Sequence, residues 1–228
     1  MARLSVMLWR AQFRGEAGDG AGARDLFAAA LPLAIRAHGN TGRDTLGVRH
    51  QIAYWTGNAG DFAGARDEYA ALLLLRERLL GSEDPQTLTV RQDLAYYTGK
   101  AGDPASARAQ LEALLPVRER VSGPDDPATL AARHALARFT GQTGDPAGAR
   151  AQLEALLPIR EHVSGPDHPD TLRTRHDLAY WTGKAGNPAS ARAQLEALLA
   201  VQERVSGADD PETLATRHQL ADWTGDSR

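Results

Sequence analysis

Between residues 84 and 123 the apolar positions fall into two helical stripes separated by a glycine break. Val90, Leu94, Tyr97 and Ala101 follow one another at spacings of four, three and four, which places them on one face of an α-helix. Leu88, Arg91, Ala95 and Thr98 form a second face, and Thr89, Gln92, Asp93, Tyr96 and Lys100 leave a polar third. Asp84 ahead of Pro85 supplies an N-cap and a proline where the missing amide costs nothing, so this helix, A, is predicted from Pro85 to about Gly99. Gly99 and Gly102 interrupt it and Asp103-Pro104 repeats the start signal. Ala107, Leu111, Leu114, Leu115, Val117 and Val121 then carry a second helix, B, as far as Gly123. So short a connection makes the two antiparallel. Pro116 lies inside helix B, yet the apolar phase continues past it. One helix bent at the proline is therefore expected, with the Glu112 carbonyl lacking its intrahelical donor.

The pattern returns without insertion or deletion. Its leading Thr-Leu pair falls at Thr45/Leu46, Thr87/Leu88, Thr129/Leu130, Thr171/Leu172 and Thr213/Leu214, a period of 42 residues. The copies beginning at Thr87 and Thr171 agree at 33 of 42 positions. A fixed period of this length marks a solenoid, in which a unit too small to bury its own apolar face stacks on its neighbours. The expectation is an all-α chain of about five and a half antiparallel helix pairs in a single solenoid domain over 1–228. Its parts are a degenerate N-terminal capping repeat at 1–43, core repeats at 44–85, 86–127, 128–169 and 170–211, and a C-terminal capping half-repeat at 212–228. Arg10 stands where Ile52, Leu94, Leu136, Leu178 and Leu220 stand in later copies, a polar substitution suited to an end.

Leu94-Ala95 in the first helix, Gly102 at the turn, and Ala107 with Leu111 in the second resemble the tetratricopeptide repeat pattern. The run Val117 to Gly123, with Pro127 and Thr129 following, is similar to the 42-residue variety found in kinesin light chains. This resemblance implies a right-handed superhelix whose A helices line the concave side, and a protein or peptide as partner; it leaves that partner unnamed. The chain departs from the family in two places. Thr98, Thr140 and Thr182 stand where the family usually has an aromatic, which here comes one residue earlier at Tyr97, Phe139 and Trp181. Pro32, Pro116 and Pro158 interrupt the B helices, and both departures bear on superhelical pitch.

Charge narrows the partners. With 26 basic against 29 acidic residues the net charge is −3, which argues against nucleic acid or an anionic membrane surface. No run of about 20 apolar residues offers a membrane span. Arg3 and Arg10 enclose only six uncharged residues, too few for a secretory leader. The absence of cysteine excludes disulfides, thiolate metal sites and cysteine nucleophiles, and fits a cytoplasmic protein. Neither a serine-hydrolase elbow nor a phosphate loop occurs, so a non-enzymatic chain without cofactor is expected. His50, His134, His176 and His218 have no imidazole four residues away and predict no metal site. Asp177 is expected to point away from the adjacent His176.

The aromatic series Phe13, Trp55, Tyr97, Phe139, Trp181 and Trp223 reads as core between repeats rather than a stacking ladder, because each shares a stripe with Leu or Ile in the later copies. Arg49, Arg91, Arg133, Arg175 and Arg217 are expected to bridge to Glu77, Glu119, Glu161 and Glu203, with a ligand role as the alternative. Arg24, Arg66, Arg108, Arg150 and Arg192 belong on solvated outer helices. The polar third face carries the candidate contacts: His50, Tyr54, Tyr96, Lys100, His134, Arg138, Arg173, His176, Tyr180 and Lys184. Several of these vary from copy to copy on a conserved frame, as a surface reading a non-repeating partner requires. The rival reading is structural, with homo-oligomers formed through terminal or repeat surfaces such as Val6, Trp9 and Phe13.

Overall fold

The computed structural model describes residues 2–224, with side chains from 3 to 222, and divides into two compact units at Ser122/Gly123. The first contains α1 (Ala2–Glu16), α2 (Gly20–His38), α3 (Arg43–Asn58), α4 (Phe62–Leu80), α5 (Pro85–Lys100) and α6 (Pro104–Ser122). The second contains α7 (Pro127–Gln142), α8 (Pro146–Ser164), α9 (Pro169–Lys184), α10 (Pro188–Val205) and α11 (Pro211–Thr224). Odd-numbered helices are the A helices and even-numbered ones the B helices. Within each unit every helix packs chiefly on its neighbours in sequence, and no strand occurs among the described residues.

Local chemistry sets these bounds. The Asp84 carboxylate accepts from the Gln86 and Thr87 amides at 2.8 and 3.3 Å and closes the first turn of α5; Asp103 accepts from Ser106 at 2.9 Å at the start of α6. The helix ends obey a finer rhythm than the sequence repeat shows. A glycine with positive φ recurs every 21 residues, at Gly18, Gly39, Gly60 and onward to Gly207, so A and B helices end on the same interval. A left-handed residue there turns the chain back at no steric cost only if it lacks Cβ. The B helices run unbroken through Pro32, Pro116 and Pro158.

Burial on the B helices rests on small and branched residues: Ala107, Ala149 and Ala191 and the leucines Leu111, Leu153 and Leu195 are fully enclosed. On the A helices it rests on rings. Trp55, Tyr97, Phe139 and Trp181 are buried, as expected. Within each unit the ring lies over a glycine of the preceding A helix. A Cβ built on Gly15 would sit 2.2 Å from the Trp55 ring, one on Gly57 2.1 Å from Tyr97, and one on Gly141 2.5 Å from Trp181. On α3 the ring precedes a glycine by two residues, in Trp55-Thr56-Gly57, so that this helix inserts a knob on one side and offers a hole on the other. The intervening threonines are buried, and the Thr98, Thr140 and Thr182 hydroxyls donate to the carbonyls of Leu94, Leu136 and Leu178 at 2.7, 2.9 and 2.7 Å. This explains the displaced aromatic: a small, self-satisfied residue occupies its usual place, and the ring one position earlier reaches the neighbouring helix.

The expectation for Phe13 is corrected. It is 54% exposed, with no glycine of another described A helix against it, and its ring instead meets Trp9 at 4.5 Å between centroids. The Trp223 side chain lies outside the described residues. Leu214 is exposed whereas Leu46, Leu88, Leu130 and Leu172 are buried, since α11 is followed by no described B helix.

Arginine bridges complete the frame. Arg91–Glu77, Arg175–Glu161 and Arg217–Glu203 join the start of an A helix to the end of the preceding B helix at 2.6, 2.7 and 2.5 Å. Arg49, whose copy has no such glutamate, donates to Asn40 at 2.6 Å. Arg108, Arg150 and Arg192 form solvated pairs four residues along their own helices. Their contribution to stability is small.

Two glycine substitutions separate hole from helix. Gly141→Ala forces a methyl into the Trp181 ring and is expected to destabilise the protein by about 1–3 kcal/mol. Gly47→Ala, in mid-helix with nothing within 4 Å of the new Cβ, is expected to stabilise by about 0.5–1 kcal/mol. Urea midpoints moving in opposite directions are the check; a common direction contradicts the interlock.

Candidate functional site

The polar faces of the A helices are held together before they can meet a ligand. In the first unit His50 Nε2 lies 2.9 Å from Asp93 Oδ2 on the next A helix, and its ring meets Tyr69 edge-on at 5.3 Å. Tyr54 is 40% exposed and stands edge-on against Trp55; Tyr96 is half-buried in the same relation to Tyr97. Lys100 turns its ammonium over the Phe62 ring of α4 at 4.9 Å. Tyr69 itself is fully buried with no partner for its hydroxyl, and that burial pushes its ionisation far upward.

In the second unit two histidines and an arginine converge on Asp177. His134 Nε2 approaches its Oδ2 at 3.2 Å, as an ion-pair contact outside hydrogen-bond alignment; Arg138 Nε lies at 3.5 Å and His176 Nδ1 at 3.5 Å. The expected divergence of His176 and Asp177 is thus corrected: the imidazole reaches across the gap that the backbone opens. Burial alone would raise the Asp177 pKa, but its contacts with His134 and His176 and the charges of His134 and Arg138 outweigh it and hold the carboxyl well below the usual range. Tyr180 stands edge-on to Trp181, Lys184 lies over the Tyr180 ring at 5.5 Å, and exposed Arg173 faces Asp170 at 3.6 Å and Glu212 at 3.8 Å. His134 is buried and His218 exposed. Among the described residues no group of three or more His, Asp or Glu is placed to hold a metal ion, and no helix is long and apolar enough to cross a membrane.

Sequence reasoning missed a third arginine series. Arg76, Arg118 and Arg160, with Gln202 in the last full copy, are buried near the C-terminal ends of B helices. The signal was present, since Ala107, Leu111, Leu114 and Arg118 are spaced four, three and four, and the arginine ends an apolar stripe. Arg76 Nη1 donates to Gln86 Oε1 at 2.9 Å, Arg118 Nη2 to Thr89 Oγ1 at 3.4 Å, and Arg160 Nη1 lies 3.4 Å from Asp170 Oδ2. Desolvation weakens the hold of Arg76 and Arg160 on their protons, offset in part by Asp84 and Asp93 for the first and by Asp170 for the second. In the first unit Arg76 lies at an open concavity of about 510 Å³ whose lining includes Arg43, His50, Gln86 and Thr89. A separate, nearly apolar hollow of about 630 Å³ lies along α1 at Val6, Trp9, Phe13 and Leu26.

Paired helices joined by short turns and packed A-on-A through ring and glycine define a helical repeat protein of the binding-scaffold class. Tetratricopeptide repeat profiles match residues 45–86, 99–162 and 136–200, and the chain belongs to the tetratricopeptide repeat family. Comparison with curated protein sequences gives no significant match. Among solved structures it is similar to the nearly identical TPR-like repeats of a kinesin-light-chain-like protein from Podosopora anserina, at 22% identity and a TM-score of 0.72 over 90% of this chain and 96% of that one. BtubC (BKLC) from P. vanneervenii aligns at 20% identity and a TM-score of 0.68, covering 86% of this chain and 78% of that one. A Rap protein complexed with Competence and Sporulation Factor aligns at 11% identity and a TM-score of 0.72, covering 95% of this chain and 63% of that one. At these identities the likeness is one of fold.

The Asp177 cluster makes a pH-dependent prediction. A carboxyl held below its unfolded value contributes stability that is full above that value and is lost as pH falls towards the folded one. Asp177→Asn is expected to destabilise by about 1–3 kcal/mol at pH 7, and the deficit to shrink as pH falls below about 4. Chemical unfolding of both proteins across pH 2–8 tests this; a deficit constant with pH contradicts it.

Proposed function

We propose that the protein is a non-enzymatic scaffold that binds a protein or peptide along the polar faces of its A helices. The supporting observation is the concavity of the first unit, where side chains from α3 and α5 surround open space above a buried arginine. Its lining mixes apolar Leu8, Phe27 and Val48 with hydrogen-bonding Gln51, Gln86 and Thr89, a combination suited to an extended chain with alternating side chains. The Rap structure shows the same fold in complex with a factor, which supports a ligand-binding use of such helices. Tyr54 and Tyr96 are the proposed flanking contacts of that concavity, and Arg173, Tyr180 and Lys184 the proposed contacts on the second unit's own A-helix face; His50 and His134 serve first to pin successive A helices. The cysteine-free composition supports a cytoplasmic location.

A second reading, self-association, has its own observation: Val6, Trp9 and Phe13 are 57%, 68% and 54% exposed on one side of α1. It predicts concentration-dependent sedimentation that disappears in Trp9→Glu.

Selection of a displayed random-peptide library on the full chain tests the principal reading. Enriched peptides are expected to lose about tenfold or more in affinity on Tyr54→Ala or Gln51→Ala, with helical content unchanged. Enrichment unaffected by either change, or none, contradicts it.

A further inference from the structure

Two departures from the 42-residue repeat fall on one crevice of the first unit. Arg91, Arg175 and Arg217 each meet a glutamate at the end of the preceding B helix, but Ile35 stands at the corresponding place before Arg49. Gln110, Gln152 and Gln194 recur on the later B helices where Glu68 stands on α4. Arg49 and Glu68 line the same partly enclosed hollow of about 170 Å³, formed by α2, α3 and α4 with Leu31, Ile52, Leu72 and Leu75 as apolar walls. Relative to the other copies, one carboxylate is missing beside this hollow and another is added within it.

Neither charge is answered by the chain. Among the described residues no carboxylate comes within 4.0 Å of Arg49, whose Nη2 donates to the neutral Asn40 at 2.6 Å, and no cationic side chain comes within 4.0 Å of Glu68. The two groups are therefore too far apart to pair with each other. Arg49 Nε and Glu68 Oε2 are enclosed without a partner, whereas Arg49 Nη1 and Glu68 Oε1 have no partner and are not enclosed. Half-buried charges without counter-ions are costly. Burial, and to a lesser degree Asp61, raise the Glu68 pKa against the lowering effect of Thr56 and of Arg24, which is itself engaged by Asp25 at 2.8 Å. The second unit has the same crevice without the opposed charges: there Gln152 lines it with Arg133, and the Gln152 amide donates to Thr140 at 3.3 Å.

We infer that the hollow at Arg49 and Glu68 binds a free α-amino acid with an aliphatic side chain. Its ammonium group meets Glu68, its carboxylate meets the guanidinium of Arg49, and its side chain packs on the leucines and Ile52. Two fixed charges of opposite sign, separated by a gap, call for a ligand that carries both complements on one small frame, and the apolar walls favour an aliphatic body. The hollow is smaller than the roughly 300–1,000 Å³ of sites for drug-sized ligands, which suits one amino acid and not a peptide segment. It shares no lining residue with the concavity assigned to a peptide, so the two sites stand or fall separately.

Calorimetric titration of the full chain with L-leucine tests the site. Three compounds accompany it: isoamylamine lacks the carboxylate, 4-methylpentanoate lacks the ammonium group, and glycine lacks the side chain. Leucine is expected to bind saturably and about tenfold or more tighter than any of the three. The Arg49 Nε–Hε resonance, assigned by its loss in Arg49→Lys, is expected to shift with leucine in the ¹⁵N-labelled chain. Glu68→Gln removes the partner of the ammonium group, and Ile35→Glu gives Arg49 an internal carboxylate. Both install what later copies carry, so the fold is expected to persist, as circular dichroism checks, while leucine binding weakens about tenfold or more. Absence of saturable leucine binding would mean that the hollow holds water only, and overturns the inference. Equal affinity for a singly charged compound or glycine, a silent Arg49 resonance, or unchanged leucine affinity in either folded variant overturns it as well.

Discussion

The structure depends on one contact: an aromatic ring laid on a helix backbone that carries no side chain. Trp55 on Gly15, Tyr97 on Gly57 and Trp181 on Gly141 each join residues 40 apart in sequence, two short of the repeat, and each brings successive A helices closer than any Cβ would allow. Rings of this size bury more apolar area than any aliphatic side chain, and the close approach adds dispersion contacts along their faces. Because ring and glycine sit two residues apart on one helix, α3 is both knob, through Trp55, and hole, through Gly57. The exposed Phe13 on α1 shows the same element without its partner.

Fixing the A helices at this distance determines which polar groups can meet. His50 reaches Asp93 and His134 reaches Asp177, each 43 residues on, one beyond the repeat. The candidate contact face is therefore internally braced, with its histidines engaged and its tyrosines propped edge-on against the ring that fills the glycine hole. Below it, α4, α6 and α8 end their apolar stripes in arginine, so charge lies under the face as well as on it. Where the following helix carries Asp170, the guanidinium meets a carboxylate; where it carries Gln86, it meets a neutral side-chain oxygen, with Asp84 and Asp93 offsetting part of its desolvation.

Much of this was legible in the sequence. Asp-Pro pairs and glycines gave the helix ends, the 42-residue identity gave the register, and glutamates beside the arginine series gave the bridges. What was not legible depends on direction rather than spacing. Arg76, Arg118 and Arg160 share a stripe with leucines, but a charged residue at the edge of an apolar face is usually outside, so spacing alone does not reveal their burial. Gly99 was legible as a residue near a helix end, but the contact of a ring with the glycine 40 residues earlier required the stack itself. His176 and Asp177 are adjacent, and only the approach of His134 and Arg138 from elsewhere gathers them into one cluster.

The most direct test of the interlock is a double-mutant cycle on Gly141 and Trp181, measured by equilibrium unfolding. If the ring fills the space above the glycine, Trp181→Leu vacates room for the methyl of Gly141→Ala. The double variant is then less destabilised than the sum of the singles, by about 1 kcal/mol or more. Additivity within about 0.3–0.5 kcal/mol would mean that ring and glycine act independently, and would contradict the account.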